Sequence, residues 1–140
     1  MQINLIRFED AHIRYYQTAL KEIRNGRKES HWMWFIFPQI KGLGRSYTSQ
    51  YYAIESLDEA KAFLNHPYLG KNLLEITNVL LLLDLNNATE IFGKPDDIKL
   101  KSCMTLFAIA SEEQSVFEKV LSKFFGNKYD NLTIKLLQKK

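Results

Sequence analysis

The chain has 140 residues, of which 46% are hydrophobic and 25% are charged. This length and balance are typical of a globular protein with one core and exclude an intrinsically disordered chain. The formal net charge of +3 is too small to indicate a nucleic-acid binder. We therefore expect one globular domain over residues 1–140, with nucleic acid disfavoured as a partner.

Cysteine usage and hydropathy suggest where the protein works. Cys103 is the only cysteine, so the chain cannot form an internal disulfide, as is usual in a reducing compartment. The start, Met1–Ile6, leads directly into a charged segment and lacks the apolar core of a signal peptide. Apolar runs such as Val79–Leu83 are far too short to span a membrane. We expect a cytoplasmic protein without a membrane partner.

The first predicted element is an amphipathic helix over Phe8–Asn25. Gly26 follows it and is a natural C-terminal cap. The prediction rests on apolar side chains that recur at helical spacing, namely Ile13, Tyr16, Leu20 and Ile23.

The next segment, Ser30–Gln39, is dense in aromatic residues. It contains both tryptophans and two of the nine phenylalanines, so exposing it to water would cost much free energy. Ser30 can cap a helix here and Pro38 would end it, which predicts a buried aromatic helix from His31 to Phe37. A strand is the alternative, because so short a run cannot be assigned by its period alone.

Capping residues, glycines and prolines divide the rest of the chain into helices. Residues 41–45 are predicted as a loop, and 46–54 as one helical turn at most. No internal repeat or alternating β-branched pattern is present. We therefore predict an all-α fold, a compact single-domain bundle of about seven or eight mostly short helices around a buried aromatic helix. The later helices are predicted at 56–65, 67–83, 87–93, 95–108, 111–126 and 130–137.

The histidines and the cysteine do not form a metal-binding pattern. They lie at positions 12, 31, 66 and 103, and no two have the spacing of ligands such as Cys-x2-Cys. Cys103 has apolar neighbours inside a predicted helix, where a free cysteine is usually a small buried hydrophobe. We expect no metal site.

Two places carry candidate acid–base residues. His31 would lie in the first turn of the aromatic helix, where the helix dipole disfavours the charged imidazolium. Asp96 and Asp97 open the helix after Pro95, and paired carboxylates can do acid–base work. Each has a structural alternative: a histidine bonded to a backbone carbonyl, and carboxylates that stabilise the helix dipole. His31 and Asp97 are our catalytic candidates with these alternatives open.

The loop Gly42–Ser46 reads Gly-Leu-Gly-Arg-Ser. Such loops expose backbone N–H groups, and Arg45 can pair with a phosphate or a carboxylate. The spacing matches neither the Walker pattern nor the dinucleotide fingerprint, so it indicates no cofactor. A flexible turn is the alternative.

Two other patterns favour structural roles. His66 and Pro67 are predicted to form a junction between helices. Ser102 and Thr105 share a helix face, where they can bond the carbonyl of the preceding turn or face a polar pocket.

Several of these motifs together resemble one bacterial family, the domain-of-unknown-function family 1810. The resemblance extends over nearly the whole chain, and it implies a mainly helical fold. It implies no established activity and no agreed catalytic residues. Cys103 stands where a small serine is expected. Members are often labelled calpastatin, but calpastatin is disordered, whereas this chain has the apolar content of a packed globule. The motifs that carry the resemblance lie at 30–39, 42–46, 52–54, 66–70, 91–100 and 104–107.

From these motifs we expect a pocket near the aromatic helix and the glycine loop. An arginine beside a glycine loop favours a small anionic molecule, with a nucleotide or an ADP-ribose group as examples. The alternatives are a non-catalytic module that binds a partner protein and a structural homodimer. Whether the protein is an enzyme stays open. The predicted ligand-binding residues are Trp34, Gln39, Arg45, Ser46, Tyr52, Asp96 and Lys99.

Overall fold

The computed structural model describes residues 3–111 and 115–139. Over these ranges the chain folds into helices, with no strand beyond a single bridge between Ile40 and Ile54. The all-α prediction is confirmed. No helix in the described part combines the length and apolar character that crossing a membrane requires. The helices are α1 Ile6–Arg24, α2 Met33–Ile36, α3 Tyr47–Tyr51, α4 Leu57–Asn65, α5 Leu69–Leu82, α6 Ala88–Phe92, α7 Asp96–Ala110, α8 Val116–Phe125 and α9 Asn131–Gln138.

Helix α1 ends as the sequence predicts. Gly26 has a φ of +75°, and its N–H donates to Ile23 O at 2.9 Å, while Arg27 N–H donates to Glu22 O at 3.1 Å. These two bonds satisfy carbonyls that the helix end would leave unpaired. The prediction that Ile13 belongs to the apolar face of this helix was wrong, because its side chain is 73% exposed.

The aromatic segment is buried, but its helix is shorter than predicted. Helix α2 is a single turn, and Trp32 precedes it with no side-chain cap. Ser30 does not cap the helix, because its hydroxyl donates to the Glu22 carboxylate at 2.5 Å. Trp32 is fully buried, whereas Trp34 is half-buried.

Glu22 anchors the segment that leads into α2. Its Oε1 accepts hydrogen bonds from the backbone N–H groups of Glu29 and Ser30, at 2.7 and 2.9 Å, and from Trp32 Nε1 at 2.9 Å. Burial alone would raise the pKa of Glu22, but the hydrogen bonds from Ser30, Glu29 and Trp32 outweigh it and lower that pKa. The carboxylate is therefore charged, buried and fully bonded.

His12 joins three helices inside the core. Its Nε2 is 2.9 Å from Phe35 O, and its Nδ1 is 3.1 Å from the side-chain nitrogen of Asn72 on α5. Nε2 therefore donates to the carbonyl, and Nδ1 accepts from the amide. Burial lowers the pKa of His12 to about 4, so the imidazole is neutral at neutral pH.

The junction between α4 and α5 is structural, as predicted. His66 Nδ1 accepts from the N–H groups of Tyr68 and Leu69, each at 3.1 Å, and its Nε2 lies 2.6 Å from Glu9 Oε1. His66 thus caps α5, which begins at Leu69 rather than at Pro67.

Side-chain caps also fix where the short helices begin. Ser115 and Glu118 form a capping box at α8, so the predicted start at Ser111 was wrong. Ser111 instead ends α7, since its hydroxyl donates to Phe107 O at 2.7 Å. Gln114, part of that prediction, lies outside the described residues. The other caps are Ser46 for α3, Ser56 for α4, Asn87 for α6 and Asp130 for α9.

Helix α7 runs through the core and packs against α4, α6, α8 and α9. Cys103 lies in it and is fully buried, which raises the pKa of its thiol well above the usual value. The prediction of a small buried hydrophobe is confirmed, and the thiol is poorly suited to act as a nucleophile.

The replacement Glu22→Gln should lower the free energy of unfolding by about 2–4 kcal/mol, because an amide removes the charge and turns an N–H toward other donors. Urea denaturation at neutral pH measures the change. Glu29→Gln is the control, since its exposed side chain should contribute less than about 0.5 kcal/mol. Equal effects for both variants would contradict the anchoring role of Glu22.

The free energy of unfolding should also decrease as the pH is lowered, because of His12. Its pKa is about 4 in the folded chain and about 6.5 when unfolded, so the unfolded chain takes up the proton first. The loss begins near pH 6.5, is complete near pH 4, and amounts to about 3 kcal/mol. Denaturation of wild type and His12→Gln over this pH range tests it. The glutamine variant should show the flatter profile; parallel profiles would count against His12 as the source.

Candidate functional site

Two adjoining cavities lie beside the aromatic segment and the glycine loop. The one against α7, which we call the α7 cleft, has a volume of about 230 Å³. The one against α3, which we call the inner cavity, has about 10 Å³. The inner cavity has room for one water molecule at most. The two share Gln39 and Gly44. The α7 cleft is lined by Gln39, Leu43, Gly44, Pro95, Ile98, Lys99, Ser102, Asp130 and Leu132. The inner cavity is lined by Trp34, Gln39, Ile40, Gly44, Ser49, Tyr52 and Ala53.

The glycine loop is held closed at its base. Ile54 N–H donates to Gln39 O, and Lys41 N–H donates to Ile54 O, each at 2.8 Å. A Cβ at Gly44 would lie 2.4 Å from Ser49 Cβ, so only glycine fits where the loop folds back on α3. The loop therefore contributes Gly44 to the walls of both cavities and Leu43 to the α7 cleft, while Gly42, Arg45 and Ser46 are exposed.

An aspartate with two lysines fixes the first turn of α7 against the aromatic segment. Asp96 lies 2.9 Å from Lys28 Nζ and 3.6 Å from Lys99 Nζ. The Lys28 ammonium is 5.1 Å from the ring centre of Trp32, and that of Lys99 is 5.8 Å from the ring centre of Trp34. Each tryptophan thus has a lysine over its ring, at distances that permit cation–π attraction.

Hydroxyl groups of α7 hold the start of α9. The Ser102 hydroxyl lies 3.3 Å from Ile98 O and 3.0 Å from Asp130 Oδ2, and its single proton is shared between these two acceptors. Thr105 donates to Lys101 O at 2.8 Å and accepts from Asp130 N–H at 2.9 Å. The pair bonds the carbonyls of the preceding turn, which is the first of the two predicted uses. Ser102 also lines the α7 cleft, whose walls are mostly apolar rather than polar.

Four predicted binding residues meet at these cavities. Trp34, Gln39 and Tyr52 line the inner cavity, and Gln39 and Lys99 line the α7 cleft. Asp96 is one step away, through its ion pair with Lys99. Burial and the neighbouring Tyr51 and Tyr15 raise the pKa of Tyr52, so its hydroxyl is protonated at neutral pH.

The other predicted residues line neither cavity. His31 is exposed, and so is Arg45 in the loop. Ser46 accepts from Ser49 N–H at 3.1 Å as the cap of α3. Asp97 is buried, where it accepts from Thr89 Oγ1 at 2.6 Å and from Ile98 N–H at 2.8 Å. The catalytic candidates His31 and Asp97 therefore do not share a cleft with the predicted binding residues.

Sequence reasoning missed the part of the cleft that α9 contributes. Asp130 was predicted only as a helix cap, and Leu132 was not singled out, yet both line the α7 cleft. The cap signal located Asp130 on α9, but nothing in the sequence placed that helix start against Ser102. Over residues 3–111 and 115–139, no three His, Cys, Asp or Glu side chains form a group that could hold a metal.

A larger cavity of about 480 Å³ lies between α4, α5 and the α7–α8 junction. It contains none of the predicted residues, and two of its lining residues, Ser111 and Ser115, flank the stretch outside the described ranges. The larger cavity also has an ammonium, a carboxamide and hydroxyls in its lining, from Lys61, Asn65, Ser111 and Ser115. The α7 cleft is smaller and more apolar, and it adds a carboxylate, Asp130, to groups of these kinds. Such a combination suits ligand binding better than covalent chemistry.

Comparison with known proteins agrees with the fold. The crystal structure of the conserved hypothetical protein Rv1873 from Mycobacterium tuberculosis, at 1.38 Å, is 45% identical and superposes with a TM-score of 0.93 over 96% of each chain. None of the curated proteins matches the chain. The family described as "Protein of unknown function (DUF1810)" matches residues 2–137. The chain therefore belongs to the DUF1810 family, as its aromatic and glycine-loop motifs indicate.

Proposed function

We propose that the protein binds a small anionic molecule in the α7 cleft. The observation that carries this proposal is the position of Lys99 and Gln39 on walls of one mostly apolar cleft. The Lys99 ammonium is 3.6 Å from Asp96, longer than a good hydrogen bond, so its N–H groups can turn to a ligand. The Gln39 side chain offers two further N–H donors.

The size of the cleft limits the ligand. Its volume of about 230 Å³ equals roughly eight water molecules at about 30 Å³ each. Drug-sized ligands occupy pockets of about 300–1,000 Å³. A small carboxylate or phosphate ester fits this space, whereas an ADP-ribose group could place only one end inside. The proposal is therefore binding of a small anion, without a catalytic step.

A second candidate function, a module that binds a partner protein, has support at the mouth of the same cleft. Ile98 and Leu132 line the cleft and are 57% and 60% exposed. Large exposed aliphatic side chains beside a cleft are typical of surfaces that accept an apolar side chain from another protein. The partner would be a different protein or a second copy of this chain.

Replacing Lys99 with methionine should abolish anion binding while leaving the fold intact, since the ion pair lost is partly exposed and contributes about 1 kcal/mol at most. A thermal-shift screen uses small carboxylates, sugar phosphates and mononucleotides. A ligand at 100 times its Kd adds about 2.7 kcal/mol, which raises Tm visibly. We expect that rise for wild type and for Lys119→Met, an exposed control on α8, but not for Lys99→Met.

A rise of equal size in Lys99→Met would show that the anion binds elsewhere. No rise for any compound would contradict the proposal and favour the protein-binding module. The molar mass in solution, measured by light scattering for wild type and Leu132→Ser, would then distinguish a homodimer from a monomer that awaits another partner.

A further inference from the structure

We infer that the α7 cleft selects a small zwitterion, a molecule that carries an anionic group, a cationic N–H group and one apolar group. This inference rests on the proposed function and specifies its ligand. It depends on Asp130, a residue that the sequence indicated only as a helix cap.

The two oxygens of Asp130 differ in their surroundings. Oδ2 accepts from Ser102 Oγ at 3.0 Å, from Thr133 Oγ1 at 2.5 Å and from Thr133 N–H at 3.2 Å. Oδ1 accepts no hydrogen bond from any residue in the described ranges. A carboxylate offers about four acceptor positions over its two oxygens, and three hydrogen bonds are made here, so Asp130 keeps acceptor capacity at a site where it lines the cleft. A ligand N–H group would use that capacity.

The two opposite charges in the lining of the cleft, Lys99 and Asp130, do not pair with each other in the described part of the chain. Lys99 pairs with Asp96 on its own helix, and no ion pair joins it to Asp130 in the described part of the chain. Asp130 is bonded to Ser102, which is three residues after Lys99 on α7. The Lys99 ammonium lies toward Asp96, one turn earlier on α7, so the two charges are held beside Asp96 and Ser102. These residues are six apart, a helix rise of about 9 Å, which leaves room between the two charges for a compact molecule that carries both.

The remaining walls specify the third group of the ligand. Leu43, Pro95, Ile98 and Leu132 make the cleft mostly apolar. An apolar side group there would cover Ile98 and Leu132, the most exposed aliphatic residues of the cleft. An anion without an N–H donor would instead lie near the carboxylate of Asp130, which it would repel. The cleft therefore disfavours simple carboxylates relative to zwitterions.

The test uses three compounds with the same ring. L-Phenylalanine carries both charges, 3-phenylpropionate carries only the negative charge, and phenethylamine carries only the positive charge. A second series with an aliphatic group consists of L-leucine, 4-methylpentanoate and 3-methylbutylamine. Titrations of the full chain, followed by amide chemical shifts, give each Kd. We expect the zwitterion of at least one series to bind about tenfold or more tightly than both single-charge analogues, as one charged hydrogen bond warrants.

Variants of Asp130 and Lys99 test whether these two residues cause the preference for a zwitterion. Asp130→Asn should weaken binding of the zwitterion about tenfold and leave the carboxylate analogue unchanged or tighter. Asparagine is also a good N-cap, so α9 should keep its cap. Asp84→Asn, an exposed aspartate outside the cleft, is the matched control. Lys99→Met should weaken the zwitterion and the carboxylate but not the amine.

The outcomes separate this inference from the proposed function. If carboxylates bind as tightly as zwitterions, or if Asp130→Asn changes nothing, the zwitterion inference is overturned and anion binding stands. If no compound of either series binds but an anion of the thermal-shift screen does, the inference is likewise overturned. If neither experiment detects binding, both are overturned. Because the wild-type comparison uses no variant, it decides the question even if Asp130→Asn fails to fold.

Discussion

The buried carboxylate of Glu22 is the interaction on which the arrangement of the site depends. It is near the end of α1 and bonds the backbone and side chain of Ser30 and the indole of Trp32. An uncompensated buried charge would cost several kcal/mol, so the chain must bring these donors to it. That requirement fixes the turn between α1 and α2 and thereby the direction of the aromatic segment, with Trp34 and Gln39 at the cavities.

A second constraint brings α7 to the same place. The aromatic segment presents two tryptophans, and each lies below a lysine whose ammonium pairs with Asp96. Because Asp96 opens α7, this arrangement sets where the first turn of that helix lies. Lys99 and Ser102 follow on the helix and form one wall of the cleft, while Asp130 extends the wall into α9. The cleft thus results from three sets of contacts, those of Glu22, Asp96 and Asp130.

The sequence predictions succeeded where the interactions join residues close together along the chain, and failed where they join distant ones. Caps act within three or four residues, so Asn87, Asp130 and Gly26 could be assigned correctly. Ser30 could not, because its hydroxyl is used by a carboxylate eight residues earlier, a choice that only the folded chain makes. Ile13 matched the helical period but is exposed, because the period does not show which helices pack against α1. Trp34, Gln39, Tyr52 and Lys99 could be grouped because they belong to dense motifs. Gln39 and Lys99 share the α7 cleft with Asp130 only because tertiary packing brings together segments that are distant in sequence.

The two tryptophans differ in burial and surroundings, so their fluorescence reports on two different parts of the molecule. Trp32 is fully buried and hydrogen-bonded to Glu22, so its indole is shielded from solvent. Trp34 is half-buried, lines the inner cavity and has the Lys99 ammonium over its ring. The chain contains no other tryptophan. The tryptophan fluorescence of the chain is therefore the sum of two contributions. The one from Trp32 reports the integrity of the core, and the one from Trp34 reports the charge beside the cleft.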